Sequence, residues 1–410
     1  MGKHSDQKPS SANIIGAGVV GIATAYALAR RGVDVTIIDQ HDGPGEGASF
    51  ANGAQLSYCY TDALASPGLI AQMPRLVLRL EEAFRFRWKW DIDYWRWLAK
   101  FLENCTSRRF NSNTLVGLDL AQQSQQSMQQ LLDSHELQFG HRVAGKMHLY
   151  STGEAFDQAR KILALKKGGC PDQQILFPDE AIAIEPALAQ LNGSLAGAIY
   201  SPDEAVGDAH GFSREMLDLL KREYDVKTHF GLPVEDIDLS NNQASVRLGN
   251  GDTLQSDITI LCAGVQSAKL AKPLGIYLPI QPLKGYSFTA PPGSIPPKTS
   301  ITDTARRIVF TNLGDRIRVA GLADLGDGDV QVKSARISAL INSARVSMPE
   351  AVDYDSVSNI WTGLRPMTPN SLPIISRPRP TLAINTGHGA LGWTLAMGSA
   401  DRLANLVAPD

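Results

Sequence analysis

Three glycines near the N-terminus have the spacing with which a backbone turn binds phosphate. Gly16, Gly18 and Gly21 stand in the run Gly-Ala-Gly-Val-Val-Gly, directly after the short strand-like segment 13–15. The first glycine permits a tight turn, the second lets a pyrophosphate approach a helix N-terminus, and the third lets that helix pack on a sheet. The spacing therefore predicts a dinucleotide-binding turn.

A carboxylate follows at the distance that such a turn requires. Residues 22–30 read as an alanine-rich helix, and residues 33–39 read as a second strand that ends in Asp39. A carboxylate about 20 residues beyond the glycines can accept hydrogen bonds from ribose hydroxyls and would repel a 2′-phosphate. The pattern predicts a βαβ unit in which Val19, Val20 and Gln40 also contact the ligand. It does not by itself separate FAD from NAD.

A long loop after Asp39 favours the larger ligand. Residues 43–57 are rich in glycine, hydroxyl and amide groups, where an NAD-binding domain would proceed to its next helix. We expect this loop to line the pyrophosphate and the flavin edge, although a solvated loop is the alternative. The expected cofactor contacts are Ser49, Asn52, Gly53, Gln55 and Leu56.

Later segments return to the same domain. Residues 234–239 and 244–248 read as a small hairpin that begins with a cofactor contact at Val234, and residues 257–264 read as a buried strand. That strand ends in Ala263 and Gly264, which leave room for a ligand.

A second glycine-rich turn follows a short strand at 382–385 and leads into a predicted helix, 395–406. Its helix N-terminus would stabilise the negative charge that develops at the N1–C2=O edge of a reduced flavin. His388 either contacts the reacting atoms or is a structural turn residue. The predicted cofactor contacts of this turn are Gly387, His388, Gly389, Gly392, Trp393 and Thr394.

The length of 410 residues predicts two structural domains. We expect an α/β fold with a Rossmann-type FAD-binding domain and an inserted α+β substrate-binding domain. The predicted division is a disordered leader 1–12, an FAD-binding domain 13–68, 204–283 and 355–410, and a substrate-binding domain 69–203 and 284–354.

Composition excludes several classes of protein. A net charge of −3 without long charge runs indicates no nucleic-acid partner. The four cysteines lie far apart without a CxxC pair, so neither a zinc site nor a disulfide framework is expected, and a reducing cytoplasm fits best. The histidines show no HExxH spacing and no serine lies in a GxSxG turn, so we expect no metal and no serine nucleophile.

Four tryptophans crowd one segment of the substrate-binding region. Trp88, Trp90, Trp95 and Trp97 alternate with arginine and lysine residues. Helices with aromatic faces usually pack inward, and a peripheral contact with lipid headgroups at the inner face of the cell membrane is the alternative. No run of about 18 uninterrupted apolar residues is present, so no spanning helix is expected.

Taken together, these motifs resemble the D-amino acid dehydrogenases, flavoproteins of the D-amino-acid-oxidase-like superfamily. The resemblance runs from about residue 13 to the last helix. Two departures from the commonest spelling, Asn52-Gly53-Ala54 and Asn370-Ser371-Leu372, leave substrate preference open. The most specific segments are the glycine turn 16–21, the loop 49–57, Pro-Leu-Lys-Gly-Tyr-Ser at 282–287, Trp-Thr-Gly-Leu-Arg-Pro-Met-Thr-Pro at 361–369, and the turn 385–394.

The resemblance implies bound FAD, oxidative deamination of a small amino acid to a 2-oxo acid and ammonia, and electrons passed to a quinone or another respiratory acceptor. Arg365, a fork-shaped cation between two prolines, suits a bidentate clamp on an α-carboxylate, and Gly363 lies beside the cofactor. Tyr286 either adds a phenolic hydrogen bond to that carboxylate or packs in the core. Tyr58 and Tyr60 either wall the pocket or pack in the core.

The reaction then depends mainly on how the protein positions the substrate. The carboxylate is clamped, the amine is neutral, and the α C–H points at flavin N5 for hydride transfer. The preference for D-amino acids rests on the resemblance alone. Oxidation of secondary amino acids such as proline derivatives, sarcosine or glycine remains an alternative. A flavoprotein subunit that depends on a partner complex is another.

Overall fold

The structure is a computed structural model that describes residues 8–70, 83–191, 193–239 and 243–409. Most of the predicted leader lies outside the described residues. Its last part differs from the prediction, because the first strand begins at Ser11 and pairs with Asp34.

The described helices are α1 Val19–Ala29, α2 Ile92–Asn104, α3 Ser107–Ser134, α4 Gly153–Lys166, α5 Pro178–Ile184, α6 Ala209–Tyr224, α7 Gln266–Ala271, α8 Ser334–Ser347 and α9 Gly392–Val407. The strands of the first half are β1 Ser11–Ile15, β2 Asp34–Ile38, β3 Gln55–Leu56, β4 Phe84–Phe86, β5 Arg142–Val143, β6 Lys146–Tyr150, β7 Gln174–Leu176, β8 Gly197–Ser201 and β9 Ala205–Val206. Those of the second half are β10 Lys227–His229, β11 Val234–Asp238, β12 Ala244–Leu248, β13 Thr253–Ser256, β14 Ile258–Leu261, β15 Gln281–Ala290, β16 Ser300–Asp303, β17 Ile308–Asn312, β18 Ile317–Leu325, β19 Ser358–Met367, β20 Ile374–Arg379 and β21 Leu382–Thr386.

A six-stranded sheet carries the glycine turn. Its order is β10-β2-β1-β14-β21-β20, and β1 pairs in parallel with both β2 and β14. Helix α1 joins β1 to β2 and is buried along nearly its whole length against α6 and α9. The predicted βαβ unit is confirmed.

A nine-stranded sheet is the second large sheet of the fold. Its main path is β19-β15-β18-β17-β16-β6-β8-β7, and β4 pairs with β18 outside that path. Apolar residues on one face pack against α8 and form a separate core. Two small three-stranded sheets complete the fold: β11-β12-β13, in which the predicted hairpin gains a third strand, and β3-β9-β5.

Packing differs from the predicted domain boundaries at two places. Helix α3 belongs by sequence to the predicted substrate-binding segment, but its apolar residues join the core around α1 and α9. Strand β19 lies in the predicted FAD-binding segment, but it pairs with β15 at the edge of the nine-stranded sheet. Both elements are long and amphipathic, and sequence periodicity shows that one face is buried without showing against which partner.

Close packing explains two glycines of the first turn. Gly16 has a φ of +109°, and a Cβ there would lie 2.6 Å from the carbonyl oxygen of Cys262. At Gly21, on α1, a Cβ would lie 1.8 Å from the carbonyl oxygen of Gly16. The helix therefore approaches the end of β1 more closely than any side chain permits.

We expect Gly21→Ala to lower the free energy of unfolding by about 3 kcal/mol, because the obstacle is backbone and cannot rotate away. Gly153→Ala is the matched control, since it also lies on a helix and nothing lies within 4 Å of its added Cβ. Urea unfolding of the two variants beside the wild type measures the difference. Equal stability of all three proteins would contradict the packing argument.

Candidate active site

A cavity of about 1300 Å³ lies between the six-stranded and nine-stranded sheets. It joins the glycine turn at one end to strands β15, β18 and β19 at the other. Most of the predicted site residues line it: Gly16, Gly18, Val19, Val20, Asp39, Gln40, Ser49, Asn52, Gly53, Gln55, Tyr60, Val234, Ala263, Gly264, Tyr286, Gly363, Arg365, His388, Gly389, Gly392, Trp393 and Thr394. Four predicted residues do not line it: Gly21, Leu56, Tyr58 and Gly387.

Those four residues have packing roles. Gly21 fits α1 onto the first turn, and Leu56 and Tyr58 are buried in the core around that helix. Gly387 has a φ of +79°, and a Cβ there would meet the Thr368 side chain at 2.7 Å. For Gly21 this is the predicted packing of the helix, and for Leu56, Tyr58 and Gly387 these contacts hold the cavity wall, while their contacts with ligand stay predictions.

Asp39 closes the glycine turn. Its Oδ2 accepts a hydrogen bond from the backbone N–H of Ala17 at 2.7 Å. Its Oδ1 accepts one from the backbone N–H of His41 at 2.9 Å and lies 2.8 Å from His41 Nδ1. The carboxylate thus ties the end of β2 to the start of the turn and still faces the cavity.

The loop that follows runs across the nine-stranded sheet. Successive residues of this loop bind successive strands, in the order β15, β18, β17, β16 and β6. The bonds are Ser287 Oγ to Ala51 O (2.6 Å), Arg318 Nη1 to Asn52 O (3.2 Å), Thr311 Oγ1 to Gly53 O (2.7 Å), Gln55 Nε2 to Ser300 Oγ (2.5 Å) and Lys146 Nζ to Gln55 Oε1 (2.9 Å). The loop is therefore held between the two sheets by hydrogen bonds and is not a solvated connection.

Buried charges hold the end of this loop. Lys146 Nζ also donates to Ser57 Oγ at 2.6 Å, and Glu204 accepts from the backbone N–H groups of Tyr58 and Cys59, each at 2.6 Å. Burial lowers the pKa of Lys146 to about 8, against the opposing effect of Glu204. Burial likewise raises the pKa of Glu204 to about 7. Lys146 lines the cavity, and Glu204 lies behind the wall beneath the backbone of Tyr58.

Tyr60, unlike Tyr58, lines the cavity. Its ring stacks on His148 with 3.9 Å between centroids, and Lys146 Nζ lies 4.8 Å from its centroid. Its hydroxyl donates to the backbone carbonyl of Ile199 at 3.0 Å. Burial raises the pKa of Tyr60 well above its usual value, so the hydroxyl stays protonated and serves to hold the wall.

A disulfide joins Cys59 to Cys170, contrary to the expectation of none. The two residues are 111 positions apart, and only the fold brings the loop after Ser57 beside the segment after α4. Cysteine spacing reveals local pairs and metal motifs, but it does not reveal such a contact. Lys166, four residues before Cys170, donates to the carbonyl of Cys59 at 2.7 Å and forms an ion pair with Asp62 at 2.9 Å.

Arg365 lies where three strands meet. It stands on β19, and its guanidinium crosses Gly285 of β15, where an added Cβ would be 2.4 Å from Nη2. Beyond it, Nη1 is 3.4 Å from the carbonyl oxygen of Leu322 on β18, a long and weak contact. Leu322 has a φ of +57° within a register shift between β15 and β18. No ion pair to Arg365 occurs among the residues that the structure describes.

Burial lowers the pKa of Arg365, but a guanidinium remains protonated in proteins. A cation that lines a cavity without a carboxylate partner among the described residues is able to bind an anionic group. Its position beside a bare glycine leaves both nitrogens of its fork available to one carboxylate.

Tyr286 differs from its predicted role. Its hydroxyl donates to Asp324 Oδ2 at 2.8 Å, and Arg336 Nη2 donates to Asp324 Oδ1 at 2.6 Å. A phenol has one proton, so in this arrangement it cannot also be given to a substrate carboxylate. Tyr286 lines the cavity with its ring and is held by a buried ion pair behind it.

The C-terminal turn presents a helix N-terminus to the cavity. Helix α9 begins at Gly392 without a side-chain cap, and Thr394 Oγ1 accepts the backbone N–H of Ser57 at 3.0 Å. His388 Nε2 is 2.9 Å from Ser399 Oγ, and burial lowers the pKa of His388 to about 3. His388 is therefore neutral, and its contact with Ser399 holds the turn, while its contact with the reacting atoms stays a prediction.

Three residues at or behind the cavity wall were not predicted from the sequence, namely Lys146, His148 and Glu204. Lys146 and His148 alternate with apolar residues along β6, and this period of two marks one face of a strand. That signal was available in the sequence. The position of Glu204 beneath the backbone of Tyr58 had no local signal, since 146 residues separate the two. Within the described ranges, no group of acidic, histidine or cysteine residues is arranged to bind a metal.

The cavity fits a dinucleotide whose second half is a flat ring system. The first turn excludes side chains at Gly16, and α1 begins beside the cavity at Gly18 and Val19. The loop 51–57 and the uncapped end of α9 supply polar atoms at the other end. A nucleotide at one end and a flavin at the other therefore fit the residues present.

Comparisons with known proteins identify the family. The fold and cavity are those of a dinucleotide-dependent oxidoreductase, and residues 12–406 match the family model described as DAO: FAD dependent oxidoreductase. The chain belongs to this family. The predictions of fold class, of FAD as cofactor and of an FAD-dependent oxidoreductase are confirmed.

Relatives and solved structures cover nearly the whole chain. A D-amino acid dehydrogenase of Paramagnetospirillum magneticum is 36% identical over 96% of this chain and 94% of its own length. D-amino acid dehydrogenase 2 of Pseudomonas aeruginosa is 39% identical over 96% and 94%. Glycine oxidase from Geobacillus kaustophilus (TM-score 0.72, 22% identity, 97% and 94% covered) and L-proline dehydrogenase from P. horikoshii (0.74, 17%, 98% and 94%) share the fold.

The disulfide predicts a pattern of cysteine reactivity. In guanidinium chloride without a reductant, we expect an alkylating reagent to modify Cys105 and Cys262, which are free, and to leave Cys59 and Cys170 unmodified. After reduction all four cysteines should react. Mass spectrometry of the digested protein identifies the modified positions, and alkylation of Cys59 before reduction would contradict the disulfide.

Proposed function

We propose that the protein oxidises D-amino acids to 2-oxo acids and ammonia, with FAD as the electron-pair acceptor. The observation that best supports this proposal is the position of Arg365. Its guanidinium lines the cavity and has no ion-pair partner among the described residues. The names of the relatives from P. magneticum and P. aeruginosa support the choice of D-amino acids.

In this proposal Arg365 fixes the substrate by its α-carboxylate. Two parallel N–H donors hold a carboxylate in one plane, and burial strengthens the attraction by excluding water. Gly285 and Gly363 line the space for the substrate, and the missing side chain of Gly285 lets the Arg365 guanidinium cross its strand. The ring of Tyr286, held by Asp324, forms a fixed side of the same space.

The cofactor would be held by backbone groups of two helix ends and by the loop between them. Gly16, Gly18 and Asp39 would receive the nucleotide, while Asn52, Gln55 and the N-terminus of α9 would receive the flavin. FAD supplies the two-electron acceptor for the α C–H of the substrate. The oxidised substrate is an imine, which water hydrolyses to the 2-oxo acid and ammonia.

No general base is required of the chain, because the ammonium proton passes to water that reaches the cavity. Hydride transfer then starts from the neutral amine. His388 does not take that proton, because its ring stays neutral and is bonded to Ser399. Electrons then leave to a quinone or another respiratory acceptor in this proposal, as the word dehydrogenase in the relatives' names supports.

An anaerobic titration tests the proposal. D-Alanine added to the yellow holoenzyme should bleach the absorption band of the oxidised flavin at about 450 nm. L-Alanine should leave that band unchanged. Pyruvate and ammonia should form in equal amounts. Bleaching by D-proline or sarcosine but not D-alanine would replace the proposal with oxidation of secondary amino acids, and bleaching by none would point to a partner-dependent subunit.

Arg365→Lys in the same assay isolates the clamp. Loss of the bidentate geometry should raise the KM for D-alanine roughly 10- to 100-fold with a smaller change in kcat. Arg345→Lys is the matched control, since Arg345 is exposed and pairs with Asp355 outside the cavity. An unchanged KM in the Arg365 variant would exclude this residue as the carboxylate receptor.

We further propose a peripheral contact between the tryptophan segment and a membrane. Trp97 is buried, and its Nε1 donates to the carbonyl of Met367, so core packing holds for that residue. Trp88, Trp90, Ile92 and Trp95 are 46%, 102%, 63% and 41% exposed. Arg85, Arg96 and Lys100 are exposed beside them, a combination that suits lipid headgroups. None of the described helices has the length and apolar character to cross a bilayer.

Co-sedimentation with vesicles measures this contact. The holoenzyme should bind vesicles that contain phosphatidylglycerol, and Trp90→Gln should weaken binding about tenfold, because the exposed ring would otherwise be buried among lipids. Val346→Gln, an exposed apolar residue on α8, is the control. Equal sedimentation of wild type and Trp90→Gln would exclude this segment as the contact.

A further inference from the structure

Two neighbouring polar atoms on the cavity wall have no hydrogen-bond partner. His148 on β6 and Thr302 on β16 are directly paired in a parallel register, so their side chains share one face of the sheet. Both residues line the cavity. Among the described residues, neither His148 Nε2 nor Thr302 Oγ1 has a partner, and both atoms are buried.

Buried polar atoms normally find a partner, and an unpaired one costs about 1–3 kcal/mol. Here two such atoms belong to directly paired residues that both line the cavity. Tyr60 stacks on one face of the His148 ring and keeps it in place. The arrangement is therefore fixed before any ligand arrives, as a binding subsite requires.

The position of these atoms relative to Arg365 defines what fits between them. The guanidinium reaches Leu322 on β18, and Thr302 lies two strands further along the sheet, on β16. Two strand intervals span roughly 10 Å. Val309 and Ala320 line the path between them and carry no polar side-chain atoms. An amino acid of about the length of glutamine bridges this distance, with an aliphatic stem over the apolar floor.

The charges around His148 restrict which chemical group the substrate side chain can carry at its end. Burial and the neighbouring Lys146 and Lys166 hold the pKa of His148 well below its usual value, so the ring is neutral. Lys146 stands two residues away on the same face, and its ammonium also lines the cavity. A cationic side chain would be repelled there. A primary amide offers one acceptor and one donor group, which a neutral imidazole and a hydroxyl can both bind.

We propose that His148 and Thr302 form a side-chain subsite that selects substrates ending in an amide, such as D-glutamine, over apolar substrates of equal length. The proposal rests on the function proposed above, because it places the substrate carboxylate on Arg365. It adds a determinant of side-chain preference at the far end of the same cavity.

The test compares D-glutamine with D-norleucine, a substrate of similar length without polar atoms. The wild-type holoenzyme should have the higher kcat/KM for D-glutamine. In Thr302→Val, which keeps the shape and removes the hydroxyl, the ratio of the two kcat/KM values should fall about fivefold, the effect of one neutral hydrogen bond. Thr302→Ser retains a hydroxyl and should restore most of the ratio.

Thr259→Val is the matched control. Thr259 Oγ1 is also buried without a partner among the described residues, but Thr259 lies on β14 and does not line the cavity. Its substitution should leave the ratio at the wild-type value. If Thr302→Val and Thr259→Val give the same ratio, the subsite is excluded.

A binding measurement separates failure of the subsite from failure of the proposed function. Glutaramate and hexanoate carry the carboxylate and the two side-chain ends but no amine, so they bind without being oxidised. Their dissociation constants can be read from the perturbed flavin spectrum. Bleaching by D-alanine with equal affinities for both acids would retain the function and overturn the subsite. Preference for glutaramate that Thr302→Val abolishes, in an enzyme that D-alanine does not bleach, would retain the subsite and overturn the function.

Discussion

The loop from Ala51 to Ser57 is buried between two sheets, so its backbone polar groups must find partners inside the protein. A buried carbonyl or amide left unpaired is costly, and almost none is tolerated in native structures. The nine-stranded sheet meets this requirement for three successive carbonyls through one side chain each from β15, β18 and β17. Side chains from β16 and β6 then bind the side chain of Gln55. The order of the strands thereby fixes the path of the loop, and the path of the loop fixes the shape of the cavity.

That constraint also explains the buried charges. The end of the loop turns beneath α9, where no further strand is available to bond its amides. Glu204 accepts two of those amides, and Lys146 and Lys166 bind groups on either side of them. Removing one member would leave the others buried without compensation, which is far more destabilising than an exposed pair would suggest. The cluster is thus a structural consequence of burying a polar loop at the cavity wall.

The two ends of the cavity are specialised by different means. At the nucleotide end, glycines line the cavity with bare backbone, and Asp39 ties the turn closed through Ala17. At the substrate end, a register shift and the bare Gly285 leave space for the Arg365 guanidinium. β-Bulges are common where a side chain must be redirected toward a ligand. Backbone recognition therefore serves the part of the ligand that is constant, and side chains serve the part that varies.

The sequence by itself determined the βαβ unit, its glycine turn and Asp39, because these depend on contacts between neighbours along the chain. Resemblance to known flavoproteins added the cofactor. Only the tertiary structure decided the Cys59–Cys170 disulfide, the bond from Tyr286 to Asp324 and the packing of α3 on α9, because the partners lie far apart in sequence. Local patterns show which face of an element is buried, but the partner across that face is chosen by the fold of the whole chain.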